Sequence, residues 1–399
     1  MPTKESVFLK RLLWQDDMMD PVRENDTDGK KYRPYSHKII ALVIALVIVV
    51  SGFTVFYTIE NGRQDQGSRT LVVYTYDGFM ASGINTSHAL SVVFGTFEKK
   101  YNVNLEVKNE SNLLQLLLAE KSNPKADIVI GLDNINGLTA VSNGLLVKYV
   151  PPAEKYVNST LLSEMGSTSG YLTPYEYSYL GIDYYKPFLH NQTFQPSFGD
   201  IINNTTLASN LLVEYPQFSE TGQEFLLWEI AYYTYVLHEN WTKWWTSMAP
   251  YMKGHIYDSW SSAWSQYSTG PDTNLLVSYL TDPAYNKVWG YNNTTGSTVT
   301  FHAGKAYGWR SIYGLGIVNG SRNLNLDREF VNYFLSPTVQ NEIPNNEFMF
   351  PANSTVSLPA SFRSVQNQAD ILALNQYMSS YTVEQNLTQW ETEWLNVMV

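Results

Sequence analysis

Between Ile39 and Tyr57 the chain runs for nineteen residues without a charged side chain, IIALVIALVIVVSGFTVFY. At the helical rise this stretch reaches about 28 Å, close to the thickness of a bilayer core, so it predicts one membrane-spanning helix, with the anchor taken as 39–59. Lys30, Lys31, Arg33 and Lys38 precede it, whereas only Arg63 and Arg69 follow closely. Cytoplasmic flanks carry the excess of Lys and Arg, which places residues 1–38 inside as a leader and everything after 60 outside. A cleaved signal peptide is the competing reading; the long charged leader and the lack of a clear A-x-A site stand against it.

The N-x-S/T sequons fall on the same side. One, Asn25, precedes the span, and twelve follow it: Asn85, Asn109, Asn158, Asn191, Asn203, Asn204, Asn240, Asn292, Asn293, Asn319, Asn353 and Asn386. Such acceptors accumulate on segments exposed to outer-face machinery, so they predict an extracellular glycoprotein of an archaeon or another cell with one membrane. Residues 60–69, polar and Gly-containing, read as a short linker.

With 399 residues, 44% of them hydrophobic, the chain has enough material for two compact units. Beyond residue 59 it carries 18 Lys and Arg against 30 Asp and Glu, which removes the electrostatic drive toward nucleic acid. It has no cysteine, and with it go thiolate metal sites, iron–sulfur clusters and thiol nucleophiles. Phosphate-loop, dinucleotide, zincin and nucleophile-elbow motifs are also missing, and the six His show no short ligand spacing. No enzyme and no cofactor are expected. Paired carboxylates distant in sequence leave a hydrolase open but unsupported.

From residue 70 short apolar runs alternate with helical spacing. LVVYTY (71–76), 104–107 and DIVI (127–130) read as strands; 88–99, 113–120 and 134–143 read as helices. This β-α-β-α series predicts an α/β layer fold whose ligands sit at strand carboxyl ends. Tyr76, Asp77 and the Gly131–Leu132–Asp133–Asn134 turn all fall at such ends. A second series starts at LLVEY (211–215), continues through a helix at 222–237 and ends at LLVSYL (275–280). The alternating TPYEYSYLGIDYY (173–185) would carry the chain between the two, and VTFHA, LGIVN and a helix at 327–335 would bring it back. The expected layout is 70–175 for the first lobe, 176–279 for the second, 280–360 for the return, and 361–399 for a helical tail with Leu372, Leu374, Tyr377 and Met378 as its apolar face.

Aromatics, 14% of the chain, gather beside hydroxyls and acids at strand ends and helix starts. Tyr74 and Tyr76 precede Asp77, Ser219 and Thr221 precede Gly222, Trp260 and Trp264 bracket a short helix, and Tyr279 and Tyr285 flank Pro283. An aromatic cation with a phosphate tail suits that set: ring faces attract a delocalised cation, Asp133 or Asp77 balances it, and a helix start holds an anion. Taken singly, each residue is more commonly core or cap than ligand contact.

LVVYTYDGF (71–79), KADIVIGLDN (125–134) and SYLTDPAY (278–285) resemble the bacterial thiamine-binding proteins of ABC importers. TPYEYSYLGIDY (173–184), the S-x-x-G-x-x-x-L-L-W pattern at 219–228, SWSSAW (259–264) and IPNNEFMFPAN (343–353) extend the resemblance in the same order over about 70–360. It implies a two-lobed, class II periplasmic-binding-protein-like fold that closes on thiamine or a thiamine phosphate and delivers it to a permease and its ATPase. By matching motifs it implies Tyr76 and Asp133 at the ring end, and Ser219, Trp260, Tyr279 and Tyr285 around the thiazolium and phosphate end; Asp77, Asn134 and Phe348 complete the expected ligand-binding set. Two departures stand out: Thr221 where the family has Pro, and Phe348 where it has Trp, which keeps an apolar face but lacks the indole donor. A ferric-iron binder of the same fold, using Tyr184–Tyr185 or Tyr232–Tyr233, and a surface structural glycoprotein are the alternatives.

Overall fold

The structure, a computed structural model, describes residues 70–76, 78–110, 112–270, 273–290 and 294–398. The leader, the expected anchor, the linker, Asn25, Asp77, Asn292 and Asn293 lie outside the described residues. Among the described residues no helix is long and apolar enough to cross a membrane.

Fourteen strands are described. The first part of the chain supplies β1 (Thr70–Thr75), β2 (Asn104–Asn109), β3 (Ile128–Asp133), β4 (Leu146–Val147) and the long β5 (Thr173–Tyr185). The middle supplies β6 (Leu211–Glu214), β7 (Ile256–Tyr257), β8 (Leu275–Tyr279), β9 (Thr295–Thr298), β10 (Thr300–His302) and β11 (Lys305–Gly308). The last part supplies β12 (Arg310–Val318), β13 (Phe350–Pro351) and β14 (Ile371–Ala373). Eleven of them form one mixed sheet with the main path β2-β1-β3-β12-β5-β8-β6-β7, while β10, β11 and β14 make a second, three-stranded sheet.

Burial follows from strand position. β3 is buried along its whole length, as its unbroken apolar run requires between two neighbours and covering helices, whereas edge strand β2 alternates exposed and half-buried residues. The pivotal element is β5. Thr173–Tyr179 pairs antiparallel with β12 and Leu180–Tyr184 with β8, so one strand of thirteen residues, about 43 Å long, serves two halves of the sheet. Tyr175 packs in a first hydrophobic core with β1, β3 and β12, and Tyr179, Leu180 and Ile182 pack in a second with β6, β8 and the helix Glu220–Ala231. The expected carrier between lobes is therefore a single continuous strand.

Most helices fall where periodicity places them, including Leu113–Ala119, Asn136–Ser142 and Leu324–Phe334. The expected 88–99 helix is longer, Thr86 to Tyr101, with a π-type turn at Ser91–Gly95. Two expectations are corrected. The return to the first core starts at β12 rather than at 280, because β9 pairs with the far half of β5 and Val299, Ala306 and Trp309 pack in the second core. The tail is not helical from 361: Ile371–Ala373 is a strand beside β11, with Ile371 and Ala373 buried and Leu372 turned out, and Leu374–Tyr377 is a 3-10 turn. Period-two burial there outcompetes the helical pattern, and the helix begins only at Ser380, running to Met398.

Candidate ligand-binding site

The first group of site residues comes from the ends of β1 and β3. Tyr76, just past β1, lays its ring against Gly131. A Cβ on Gly131 would stand 2.2 Å from Tyr76 Cδ1, and its φ of +108° is one that only glycine adopts freely. The Tyr76 hydroxyl donates to Glu347 Oε2 at 2.7 Å and lies 3.3 Å from Glu176 Oε1. Asp133, fully buried at the end of β3, accepts from the backbone N–H groups of Ile135 and Asn136 through Oδ1, which anchors the start of the following helix. Its Oδ2 and the Asn134 Oδ1 are buried without a hydrogen-bond partner.

The second group faces it across the sheet. Tyr279, at the end of β8, shares a 2.7 Å hydrogen bond between hydroxyls with Tyr313 of β12, and the Tyr313 ring lies 6.3 Å from that of Tyr76. The Tyr313 hydroxyl donates to Glu220 Oε2 at 3.3 Å, and Asn136 Nδ2 donates to Glu220 Oε1 at 3.0 Å. Ser219 is the N-cap residue of that helix, its hydroxyl 2.8 Å from that of Thr221. Gly222 lets the helix start approach β6: an added Cβ would meet the Glu214 carbonyl oxygen at 2.6 Å.

An aromatic wall stands at Ser278, the residue before Tyr279 on β8. Trp260, first residue of the helix Trp260–Thr269, donates its indole N–H to Ser278 Oγ at 2.8 Å and stacks on Trp264, centroids 5.2 Å apart. Trp264 meets Tyr285 edge-on at 5.8 Å, and Tyr285 meets Phe348 edge-on at 5.2 Å. Phe348 is buried, with an unusual left-handed φ of 54°. Thus Tyr76, Tyr313, Tyr279 and Glu220 form one cluster beside Asp133 and Asn134, with Ser219 on its border, and Trp260, Trp264, Tyr285 and Phe348 form a second, joined to the first along the chain at Ser278–Tyr279 and Glu347–Phe348; Asp77 lies outside the described residues.

Sequence reasoning named Asp133 but missed the acids around it. Burial pushes Asp133 up to about 6, against the two backbone N–H groups that favour its charged form. Glu220 is pushed up to about 8 by burial and then by Asp133, and Glu224, one turn on, well above the carboxylate range for the same two reasons. Burial raises Glu347 to about 7, opposed by its bonds to Tyr76 and the Met80 N–H. Glu176 goes well up through burial and then the Glu347 charge. Beneath Trp260, Ser278 donates to Asp282, which burial raises to about 6, and Asp183 beside it is raised further by burial and by Asp282. Their one legible signal is an acid inside an apolar run, as Glu176 and Asp183 are in TPYEYSYLGIDYY and Glu224 is in QEFLLWEIA.

The other expected positions divide. Asn85, Asn109, Asn158, Asn191, Asn203, Asn204, Asn240 and Asn319 are exposed and Asn386 is half-buried. Asn353 is corrected: it is fully buried, donating to the Leu335 carbonyl at 2.7 Å and accepting from Thr355, so a glycan has no access to its amide in the folded chain. The tyrosine pairs do not converge on a metal site. The Tyr232 hydroxyl donates to the Phe301 carbonyl in the second core, Tyr184 packs on Phe194, and among the described residues no cluster of three His, Cys, Asp or Glu could hold a metal ion.

The mixed α/β sheet organised round two cores is a fold the chain shares with solved periplasmic binding proteins. The chain is 29% identical to the thiamine-binding periplasmic protein of Escherichia coli K12 over 328 residues, covering 81% of this chain and 92% of that one. It is 27% identical to the protein of the same name from Salmonella typhimurium LT2 over 331 residues, again 81% and 92%. Among solved structures it resembles a periplasmic thiamin binding protein with a TM-score of 0.67 and 24% identity, covering 83% of this chain and 96% of that one, a likeness of fold. No family model matches the chain. The resemblance to thiamine-binding proteins thus holds across most of the chain, and the relatives it matches are binding proteins rather than enzymes.

Proposed function

We propose that this chain is the extracytoplasmic substrate-binding protein of an ABC importer, and that it binds thiamine or a thiamine phosphate in the cleft and delivers it to a membrane permease driven by an ATPase. The observation that carries the reading is the chemistry of the connected site. Aromatic faces from Tyr76, Tyr279, Trp260 and Tyr285 adjoin buried carboxyl groups, and Asp133 Oδ2 lacks a partner. A flat cation satisfies both: its charge compensates the acids, its rings lie on the aromatic faces, and its amino group has buried acceptors in Asp133 and Asn134. The names of the relatives point to the same ligand.

In this reading residues 39–59 anchor the chain, with residues 1–38 on the cytoplasmic side, the binding unit outside, and glycans on exposed sequons but not on Asn353. The first lobe comprises 70–175 together with 310–360, and the second comprises 176–309. The discriminating experiment is a titration of the intrinsic fluorescence of the purified full chain with thiamine, paired with alkaline extraction of host membranes. Saturable quenching at one ligand per chain and retention in the membrane pellet are expected. No saturable response would sink the thiamine reading, and a visible iron charge-transfer band in its place would favour a ferric binder.

A further inference from the structure

We propose that the cleft selects the unphosphorylated vitamin and rejects its phosphate esters, because Glu220 occupies the helix start at which an anionic tail would have to lie. This rests on the thiamine reading and narrows it to one chemical form.

A helix start bare of acids, with its free N–H groups and dipole, is a natural seat for phosphate. The twelve-residue helix Glu220–Ala231 faces the cleft with its start, but its first residue is itself an acid. The Glu220 side chain points across the cleft rather than away from it: Oε1 accepts from Asn136 and Oε2 from Tyr313, both contributed by elements on the opposite side. Asp133 is close enough to raise both Glu220 and Glu224, so three carboxyl groups from two elements share this end of the site. Independently, Asp133 Oδ2 and Asn134 Oδ1 are buried acceptors without a donor, with Asp133 fully buried and Asn134 only 6% exposed. They call for a ligand that brings hydrogens, not one that brings further oxygens.

Among the described residues no Lys or Arg acts on Asp133, Glu220 or Glu224 to offset a phosphate. Among the described residues the ion pairs are His88–Glu342, Lys108–Glu106, Lys125–Glu120 and Arg310–Glu164, and none includes Asp133, Glu220 or Glu224. Arg310 is committed to Glu164 and the Tyr179 hydroxyl. One of the two hydroxyl protons of Ser219 and Thr221 is taken by the bond between them, and Thr221 also bonds Glu214. A cation beside Glu220 favours its charged form and draws it below its ligand-free value of about 8; the free alcohol of thiamine then has a proton to donate to it, whereas a phosphate dianion has none and meets like charge. Discrimination by an unpaired buried acceptor and by repulsion is the steep kind.

The test is calorimetry of the purified full chain at about pH 7.5 with thiamine, thiamine monophosphate and thiamine diphosphate. Thiamine is expected to bind at least about a hundredfold more tightly than either ester. Glu220→Ser should narrow that gap to less than about tenfold, chiefly by tightening the monophosphate. Should the Ser variant fail to fold, isosteric Glu220→Gln, which removes the charge alone, decides the matter in the same direction. Monophosphate and thiamine binding within about threefold of each other, or a gap untouched by the folded variant, overturns this proposal while leaving the thiamine reading intact. Binding of none of the three overturns the thiamine reading itself.

Discussion

Trp260 and Asp133 show how single residues divide ligand binding from folding. The Trp260 ring is only half-buried and its principal partners, Ser278 and Trp264, are themselves part of the cleft, so truncation removes a ligand surface more than a core. Trp260→Ala should weaken thiamine by about tenfold or more with little change in the urea midpoint. Asp133 is different, because Oδ1 holds two backbone N–H groups while Oδ2 is free for a ligand. Asp133→Asn retains an oxygen for those N–H groups and removes only the charge, and is expected to weaken thiamine by about tenfold to a hundredfold. Calorimetry showing unchanged affinity in both variants would remove the site assignment. Both were legible in the sequence as residues at element ends, Asp133 closing β3 and Trp260 opening its helix. Tyr313 was not. It lies in the plain strand RSIYGLGIV, and its place between Tyr76, Tyr279 and Glu220 arises only when β12 inserts between β3 and β5.

At the scale of elements, the C-terminal helix Ser380–Met398 is a brace rather than a loose tail. Trp394 is fully buried, edge-on to Trp245 at 5.5 Å and to Tyr215 at 5.7 Å, and Glu391 takes hydrogen bonds from Gln217 and Gln223, the latter on the helix that carries Glu220. Trp394→Ala should cost about 3–5 kcal/mol in denaturant unfolding, with thiamine affinity largely kept in the fraction that remains folded. A loss under about 1 kcal/mol would show that the helix packs less tightly than described. The sequence located this helix too early, because Ile371, Leu374 and Met378 mimic helical spacing. What it could not reveal is that β11 lies free to pair with Ile371–Ala373 and draws that segment into a strand.

For the molecule as a whole the raised carboxyls set the pH response. A carboxyl whose pKa is higher folded than unfolded binds more protons in the folded chain, so its contribution is full below the ordinary carboxylate range and is lost as pH rises through the folded value. Asp133 and Asp282 stand at about 6, Glu347 at about 7, and Glu214 and Glu220 at about 8, all raised chiefly by burial. The urea midpoint of the ligand-free chain should therefore fall between about pH 5 and about pH 8, and saturating thiamine should flatten the decline by supplying the missing positive charge. A midpoint that rises over this range, or a slope indifferent to thiamine, would contradict the account of the cleft. The sequence by itself determined the alternation of strands and helices, the uncharged span at 39–57 and the acidic balance beyond it, because each depends on local periodicity or on composition. Tertiary structure decided the rest: that β5 serves two cores, that Asn353 is sealed beneath Leu335, that Glu176 meets Glu347, and that Glu220 and Glu224 meet Asp133. Glu176 and Glu347 stand 171 positions apart along the chain, and only long-range strand pairing brings such acids side by side.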